Sequence, residues 1–323
     1  MDRPAPTVRR GTNDDIPAAI AVAAAALGWR RDEPNEAFFR WKHLDNPAGP
    51  SPMWLAIDDT HAGTDTVAGF RTMLRWNFTG PDGATRRAVR AVDTATHPDH
   101  QRRGIFRALT TAAVDELTAD GIEFVFNTPN DNSRPGYLRM GWREVGRIPT
   151  RFALRGPTSL PRLAQARTAA QKWSEPCALG VTVDRAIDDL VELDAATPSP
   201  SAIATTRTRD HLLWRYGFEP LAYRVIRSDD AAAVIRLRRR GPALEAVLAE
   251  VFSPDAKATR RLLRRLRHDL SADHLLTLAR PPHPAPWLPT LPRLGPRLTV
   301  RDLAGTGPDL EDFRFALGDI ELF

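Results

Sequence analysis

Between a strand-like run ending at Thr96 and a helix-like run starting at Gly104, the chain reads His97-Pro98-Asp99-His100-Gln101-Arg102-Arg103-Gly104-Ile105-Phe106. The run over 85–96 has the β-branched content of a strand. Over 104–119, Phe106, Leu109, Ala113, Val114 and Leu117 recur at helical spacing. A loop in that position turns several backbone N–H groups toward one point, and the helix dipole adds partial positive charge there. Gly104 lets the backbone approach a ligand with no side chain intervening. Arg102 and Arg103 add cations suited to phosphate oxygens. The expected ligand of this loop is a pyrophosphate.

The rest of the first half alternates strand and helix. A short strand is expected at 7–10, helices at 13–27 and 36–44, and strands at 54–57, 67–78 and 122–126. Pro81-Asp82-Gly83 marks a hairpin turn, and a helical turn at 134–140 ends on Gly141. The second half repeats this order. The aromatic-basic segment Phe38-Phe39-Arg40-Trp41-Lys42-His43 has a counterpart in Leu212-Leu213-Trp214-Arg215-Tyr216. In both halves a strand, a turn and two further strands follow, then a helix (256–270 in the second half) and a strand (275–278). The repeat predicts two copies of one fold, over 1–155 and 181–323, joined by a proline-containing linker over 156–180. The proline-rich tract 281–296 reads as irregular crossover chain, and 313–317 as a closing strand.

Gln101-Arg102-Arg103-Gly104 with Pro98 before it resembles the acetyl-CoA signature of the GNAT N-acyltransferase superfamily. Phe106 departs from the small residue usual at the last position. Downstream, Asn130-Asp131-Asn132-Ser133 followed by Tyr137-Leu138-Arg139-Met140-Gly141-Trp142 is similar to the family's second motif. The resemblance implies an α/β fold with two GNAT-like domains, each a mixed, mostly antiparallel sheet flanked by helices. Ser253-Pro254-Asp255-Ala256-Lys257 stands where the second copy would carry the cofactor loop, without its glycine, so that copy is read as degenerate. By the same resemblance, Gln101, Arg102, Arg103, Gly104, Ile105 and Phe106 would hold acetyl-CoA or another short acyl-CoA. Asn130 or Asn132 would contact its pantetheine arm, and Tyr137 would be the general acid. A backbone N–H near Ala95 or Thr96 would steady the thioester carbonyl. The implied reaction is direct transfer to a small-molecule amine. Asp93 lies on the right strand for the general base, with Glu33, Asp45 and His43 as alternatives, and Trp41 is a candidate wall of the acceptor cleft. The Phe323 carboxylate would be a further catalytic candidate if the tail folds into a cleft.

Composition sets the rival readings. The net charge is +5, and lysine occurs only at Lys42, Lys172 and Lys257, so the arginine excess reflects coding bias and weakens arguments from any one arginine. The Arg260–Arg267 segment suggests nucleic acid. Its leucines fall on one face and its arginines on the other, however, which is the pattern of a solvated helix on a sheet. A non-catalytic acyl-CoA sensor is the other rival. Cys177 is the single cysteine, so no intrachain disulfide can form. His97 and His100 lack further clustered ligands, and no metal is expected. No signal peptide or bilayer-spanning run is read, which makes the cytoplasm the expected compartment. The second copy is expected to shape the acceptor site or a homodimer interface.

Overall fold

A computed structural model describes residues 6–58, 66–197, 201–278, 287–291, 293–305 and 307–321. Its strands are β1 (Thr7–Arg10), β2 (Met53–Asp58), β3 (Thr66–Thr79), β4 (Thr85–Thr96), β5 (Phe124–Asn127), β6 (Arg143–Arg147), β7 (Thr150–Leu154), β8 (Ile203–Thr205), β9 (Arg224–Arg227), β10 (Ala232–Arg240), β11 (Ala243–Phe252), β12 (His274–Leu278), β13 (Thr290–Leu291), β14 (Arg297–Asp302) and β15 (Phe313–Arg314). Its helices are α1 (Ile16–Leu27), α2 (Asn35–His43), α3 (Ile105–Ala119), α4 (Arg134–Arg139), α5 (Leu160–Gln165), α6 (Val183–Ala196), α7 (Arg209–Gly217), α8 (Ala256–Asp269) and α9 (Leu317–Ile320).

Local chemistry accounts for the elements that frame the site. The β3–β4 hairpin closes at Gly83, whose φ of 77° suits glycine, while Asp82 Oδ1 accepts from the Ala84 N–H at 3.1 Å. In α3, Ile105, Leu109, Ala113 and Leu117 recur every four residues and are buried against the sheet. Gly69 on β3 makes that approach possible: a Cβ there would come within 2.8 Å of Ile105 Cγ2. The stripe Leu262, Leu263 and Leu266 of α8 is buried in the same manner on the second sheet, as its leucine–arginine pattern predicts.

Two sheets form, both mixed and mostly antiparallel. The first runs β1-β2-β3-β4-β5-β14-β6, with β8 joining β3 and β15 joining β8; the second runs β13-β7-β12-β11-β10-β9. Each contains one matching unit. β4 pairs parallel to β5 across the α3 crossover, and β11 pairs parallel to β12 across α8.

Two strands cross the boundaries expected from the sequence. β7, placed in the first copy, pairs with β12 of the second sheet. β14, from the second copy, lies between β5 and β6 of the first. The C-terminal segment also departs from expectation. Only Phe313 and Arg314 form a strand, and the chain then turns into α9, so that Phe313, Phe315, Leu317 and Ile320 join the largest apolar cluster. That cluster draws on both sheets, with Trp76 and Phe126 of the first and Val234 and Val247 of the second. Of the tract 281–296, residues 281–286 and 292 lie outside the described residues, and β13 occupies part of the remainder.

Candidate active site

The parallel pairing of β4 with β5 covers only Ala88–Phe124, Val89–Val125 and Arg90–Phe126. Beyond Arg90, β4 runs on to Thr96 against β3 alone, while β5 ends at Asn127, which leaves the far end of β4 without a paired strand on that side. His97 N–H donates to Ala68 O on β3. Strand alternation therefore directs the Ala95 N–H to β3 as well, and turns those of Thr94 and Thr96 toward the open edge. Of the two candidate carbonyl donors, only Thr96 has that orientation.

At the same end of the sheet, α3 begins on Gly104, at φ 74°, with no side chain capping its first turn. A Cβ at Gly104 would have no neighbour within 4 Å. The start of α3 is therefore an uncapped, uncovered set of amides, which the physics of helix ends makes an anion site. Arg102 stands exposed beside it in a left-handed conformation, φ 63°. Arg103 is turned the other way: its Nη1 lies 2.6 Å from Asp58 Oδ2, and the same oxygen receives His100 Nδ1 at 2.9 Å. Its charge is already compensated, so the two arginines do not act as the expected pair.

Tyr137 of α4 is buried. Its ring packs edge-on to Phe106 at 5.2 Å and lies against Trp142 at 5.1 Å. Phe106, the departure from the family pattern, is accommodated by Gly136, where a Cβ would meet the Phe106 ring at 2.9 Å. Tyr137 Oη accepts a hydrogen bond from Arg71 Nη2 at 2.9 Å. Nothing in the sequence marks Arg71, because one arginine in a strand of an arginine-rich chain carries no local signal.

On the opposite side of β3 and β4, α2 delivers Lys42 and His43 to Asp93. The carboxylate sits at a β-bulge where the register shifts between Arg71 and Thr72, with φ 40°. Lys42 Nζ forms an ion pair with Asp93, and His43 Nε2 lies 2.8 Å from Asp93 Oδ2. Burial alone would raise the Asp93 pKa, but the Lys42 ammonium and the His43 hydrogen bond outweigh it and hold the carboxyl well below the usual range. Asp93 is thus a weak base. Burial lowers the His43 pKa; its ring is neutral at pH 7, and its Nδ1 meets no protein partner.

A sequence profile of the acetyltransferase (GNAT) domain matches residues 7–145, the segment that contains β4 and β5, the α3 loop and Tyr137. The match covers less than half of the chain, and over that stretch the chain is similar to the GNAT domain. No curated protein matches the chain. Solved structures share the two-sheet fold at low identity. A conserved protein of unknown function from Enterococcus faecalis V583 is 9% identical with a TM-score of 0.65, over 92% of this chain and 73% of that one. A GCN5-related N-acetyltransferase from Kribbella flavida is 14% identical with a TM-score of 0.62, over 92% and 72%. The N-myristoyltransferase of Saccharomyces cerevisiae, solved with bound myristoyl-CoA, is 12% identical with a TM-score of 0.55, over 93% and 84%.

The other candidates fall as follows. Asn130 Oδ1 accepts from the N–H groups of Asn132 and Ser133 at 3.1 and 2.9 Å, so it shapes the turn before α4. The Asn132 side chain is exposed. Trp41 is buried. It stacks on Trp214 at 5.5 Å and on Phe218 at 4.9 Å, in the joint between α2 and α7. Asp45 is exposed, and Glu33 Oε2 accepts from Asn35. Phe323 lies outside the described residues.

The second half of the chain carries a cluster similar to that of α2, with altered residues. Trp214-Arg215-Tyr216 of α7 stand where Trp41-Lys42-His43 stand in α2, and Tyr216 Oη donates to Glu250 Oε2 at 2.9 Å, next to the bulge between β10 and β11. Burial pushes Glu250 up to about 7 against the opposing pull of Arg207. Beside α2 a lysine and an imidazole share the acid; beside α7, Arg207 and a phenol do so. At the start of α8 the Asp255 side chain accepts from the N–H groups of Lys257 and Ala258 at 2.7 and 2.8 Å. The protein's own carboxylate occupies that helix start, in contrast to α3. Among the described residues no helix is long and apolar enough to cross a membrane.

Proposed function

We propose that the chain is an acyl-CoA-dependent N-acyltransferase, using acetyl-CoA or another short acyl donor and acylating a small-molecule amine by direct transfer. One observation carries this reading: the uncapped α3 start at Gly104 stands beside the open edge of β4 past its pairing with β5. The amides of that helix start and the exposed Arg102 would hold the diphosphate. The Thr96 N–H would meet the acyl oxygen, and Tyr137 would protonate the departing sulfur. The yeast N-myristoyltransferase supports the cofactor class, since it shares the fold and holds an acyl-CoA.

Among the candidate bases, the chemistry favours His43. With Nε2–H directed at Asp93, its buried Nδ1 carries a lone pair that no protein group engages, and the proton released by the amine would go there if the acceptor reaches it. Asp93 then orients and anchors the ring. Cytoplasmic residence and a homodimer remain part of this proposal as expectations of the sequence.

The test is thiol release from acetyl-CoA across a panel of amines, with mass spectrometry of the products. Acylated amine in step with free CoA supports the reading. Acetyl-CoA binding with no release across the panel would replace it with the sensor reading, and retention on DNA with a steep salt slope would favour the Arg260–Arg267 helix.

A further inference from the structure

β3 carries Arg71 into the layer between the sheet, α3 and α4, where its side chain is wholly buried. Among the described residues no carboxylate pairs with it. Nη2 donates to Tyr137 Oη at 2.9 Å, while Nε and Nη1 meet no protein acceptor. The guanidinium carbon lies 5.1 Å from the Phe106 ring centre and 5.4 Å from that of Tyr137, so aromatic faces are its remaining company. A buried cation without a counter-charge opposes folding, and an apolar side chain of similar length would pack in its place at less cost. The position therefore asks for a role in which positive charge is used.

We propose that Arg71 is a positioning residue for cleavage of the thioester; this rests on the acyl-transfer reading above and on Tyr137 as its acid. By donating to one lone pair of Tyr137 Oη, Arg71 directs the phenolic hydrogen away from itself. In the reaction the amine nitrogen bonds to the acyl carbon, and the carbon–sulfur bond breaks with its electron pair on sulfur. Sulfur then takes the proton from Tyr137 Oη. The negative charge left on that oxygen lies against the Arg71 guanidinium until the proton given up by the amine nitrogen, passed through the base and solvent, restores the phenol. The unpaired charge of Arg71 is thus matched in the course of the reaction rather than at rest.

The experiment is a double-mutant cycle on the full chain, with Arg71→Met, Tyr137→Phe and the double variant, plus Arg71→Lys as the conservative change. Free-thiol release is read both with an accepted amine and as background acetyl-CoA hydrolysis. Arg71→Met is expected to lower kcat at least ~10-fold, with the KM for acetyl-CoA within about twofold of wild type. Arg71→Lys recovers part of the loss. In the Tyr137→Phe background, Arg71→Met changes kcat by less than about twofold, because both act through one oxygen. Equal losses in the two backgrounds overturn the proposal. So does a rise in KM at constant kcat, which would make Arg71 a grip for an anionic part of cofactor or acceptor. If Arg71→Met does not fold, the cycle is run with Arg71→Lys, whose smaller loss should vanish in the Tyr137→Phe background; equal losses in the two backgrounds overturn the proposal. Absence of turnover in the wild type overturns the acyl-transfer reading itself; turnover with Arg71 and Tyr137 uncoupled overturns the role of Arg71 alone.

Discussion

The indole N–H of Trp41 donates to the carbonyl of Trp214 at 2.8 Å, and the indole N–H of Trp214 donates back to the carbonyl of Trp41 at 2.9 Å. This reciprocal pair lies where α2 of the first half of the chain meets α7 of the second. Their shared tryptophan-basic segments were visible in the sequence as a repeat, and the structure makes that repeat a contact.

Trp41→Phe keeps most of the ring packing but leaves the Trp214 carbonyl buried without its donor. The expected loss of stability is about 1–3 kcal/mol, measured by urea unfolding. Because one apolar cluster spans both sheets, calorimetry should show a single transition; two resolved transitions would contradict a shared core.

Gly104→Glu places a carboxylate and its side chain at the uncapped start of α3. Acetyl-CoA binding by calorimetric titration should fall at least ~100-fold; a Cβ there meets no neighbour within 4 Å, so the cost to the fold is the backbone strain of a non-glycine residue at φ 74°, about 1–2 kcal/mol. Undiminished affinity would remove the diphosphate from this helix.

The two arginines of the loop should separate. Arg102→Ala is expected to weaken acetyl-CoA binding by about 1 kcal/mol, in line with one lost exposed charge contact. Arg103→Ala should act on stability instead, because Arg103 is tied to Asp58. The opposite pattern would mean that Arg103 leaves Asp58 to hold the cofactor.

Asp93→Asn retains a residue that tolerates the positive φ of the bulge but removes the charge facing Lys42. Breaking such a buried pair costs about 3–5 kcal/mol, to be read as a lowered urea midpoint at pH 7. With its carboxyl held below the unfolded value, Asp93 stabilises the fold above about pH 4 and loses that contribution on further acidification. The stability gap between wild type and variant should therefore narrow in strong acid.

His211 gives a second pH window. Burial, and then Arg215 and Arg207, lower its pKa to about 3. The unfolded chain takes up this proton below about pH 6.5, so stability is complete above that value and falls as the pH drops toward 3. His43, shifted in the same direction, adds to the fall. His211→Gln should flatten the stability curve by up to about 1.4 kcal/mol per pH unit across this range. An unchanged slope would show that the imidazole is not neutral in the fold.

The elements framing the site were legible because their signals are local. The glycine-started α3, the Asp82–Gly83 turn and the heptad-like leucines of α8 each report their own backbone. What stayed hidden depends on distant partners. No pattern within residues 150–154 says that they pair with 274–278, and none within 297–302 says that they enter the first sheet. The bulge that aims Asp93 at α2 is a property of two strands together. Arg71 and Arg90 were masked differently: in a chain this rich in arginine, a buried guanidinium reads like any surface one.

The exchange of β7 and β14 between the sheets has a consequence for inheritance. Excising either copy at the linker would leave its sheet without a strand and expose the edges on which that strand was bonded. A gene cut at the linker would therefore encode two incomplete sheets, and neither half is a self-contained folding cassette.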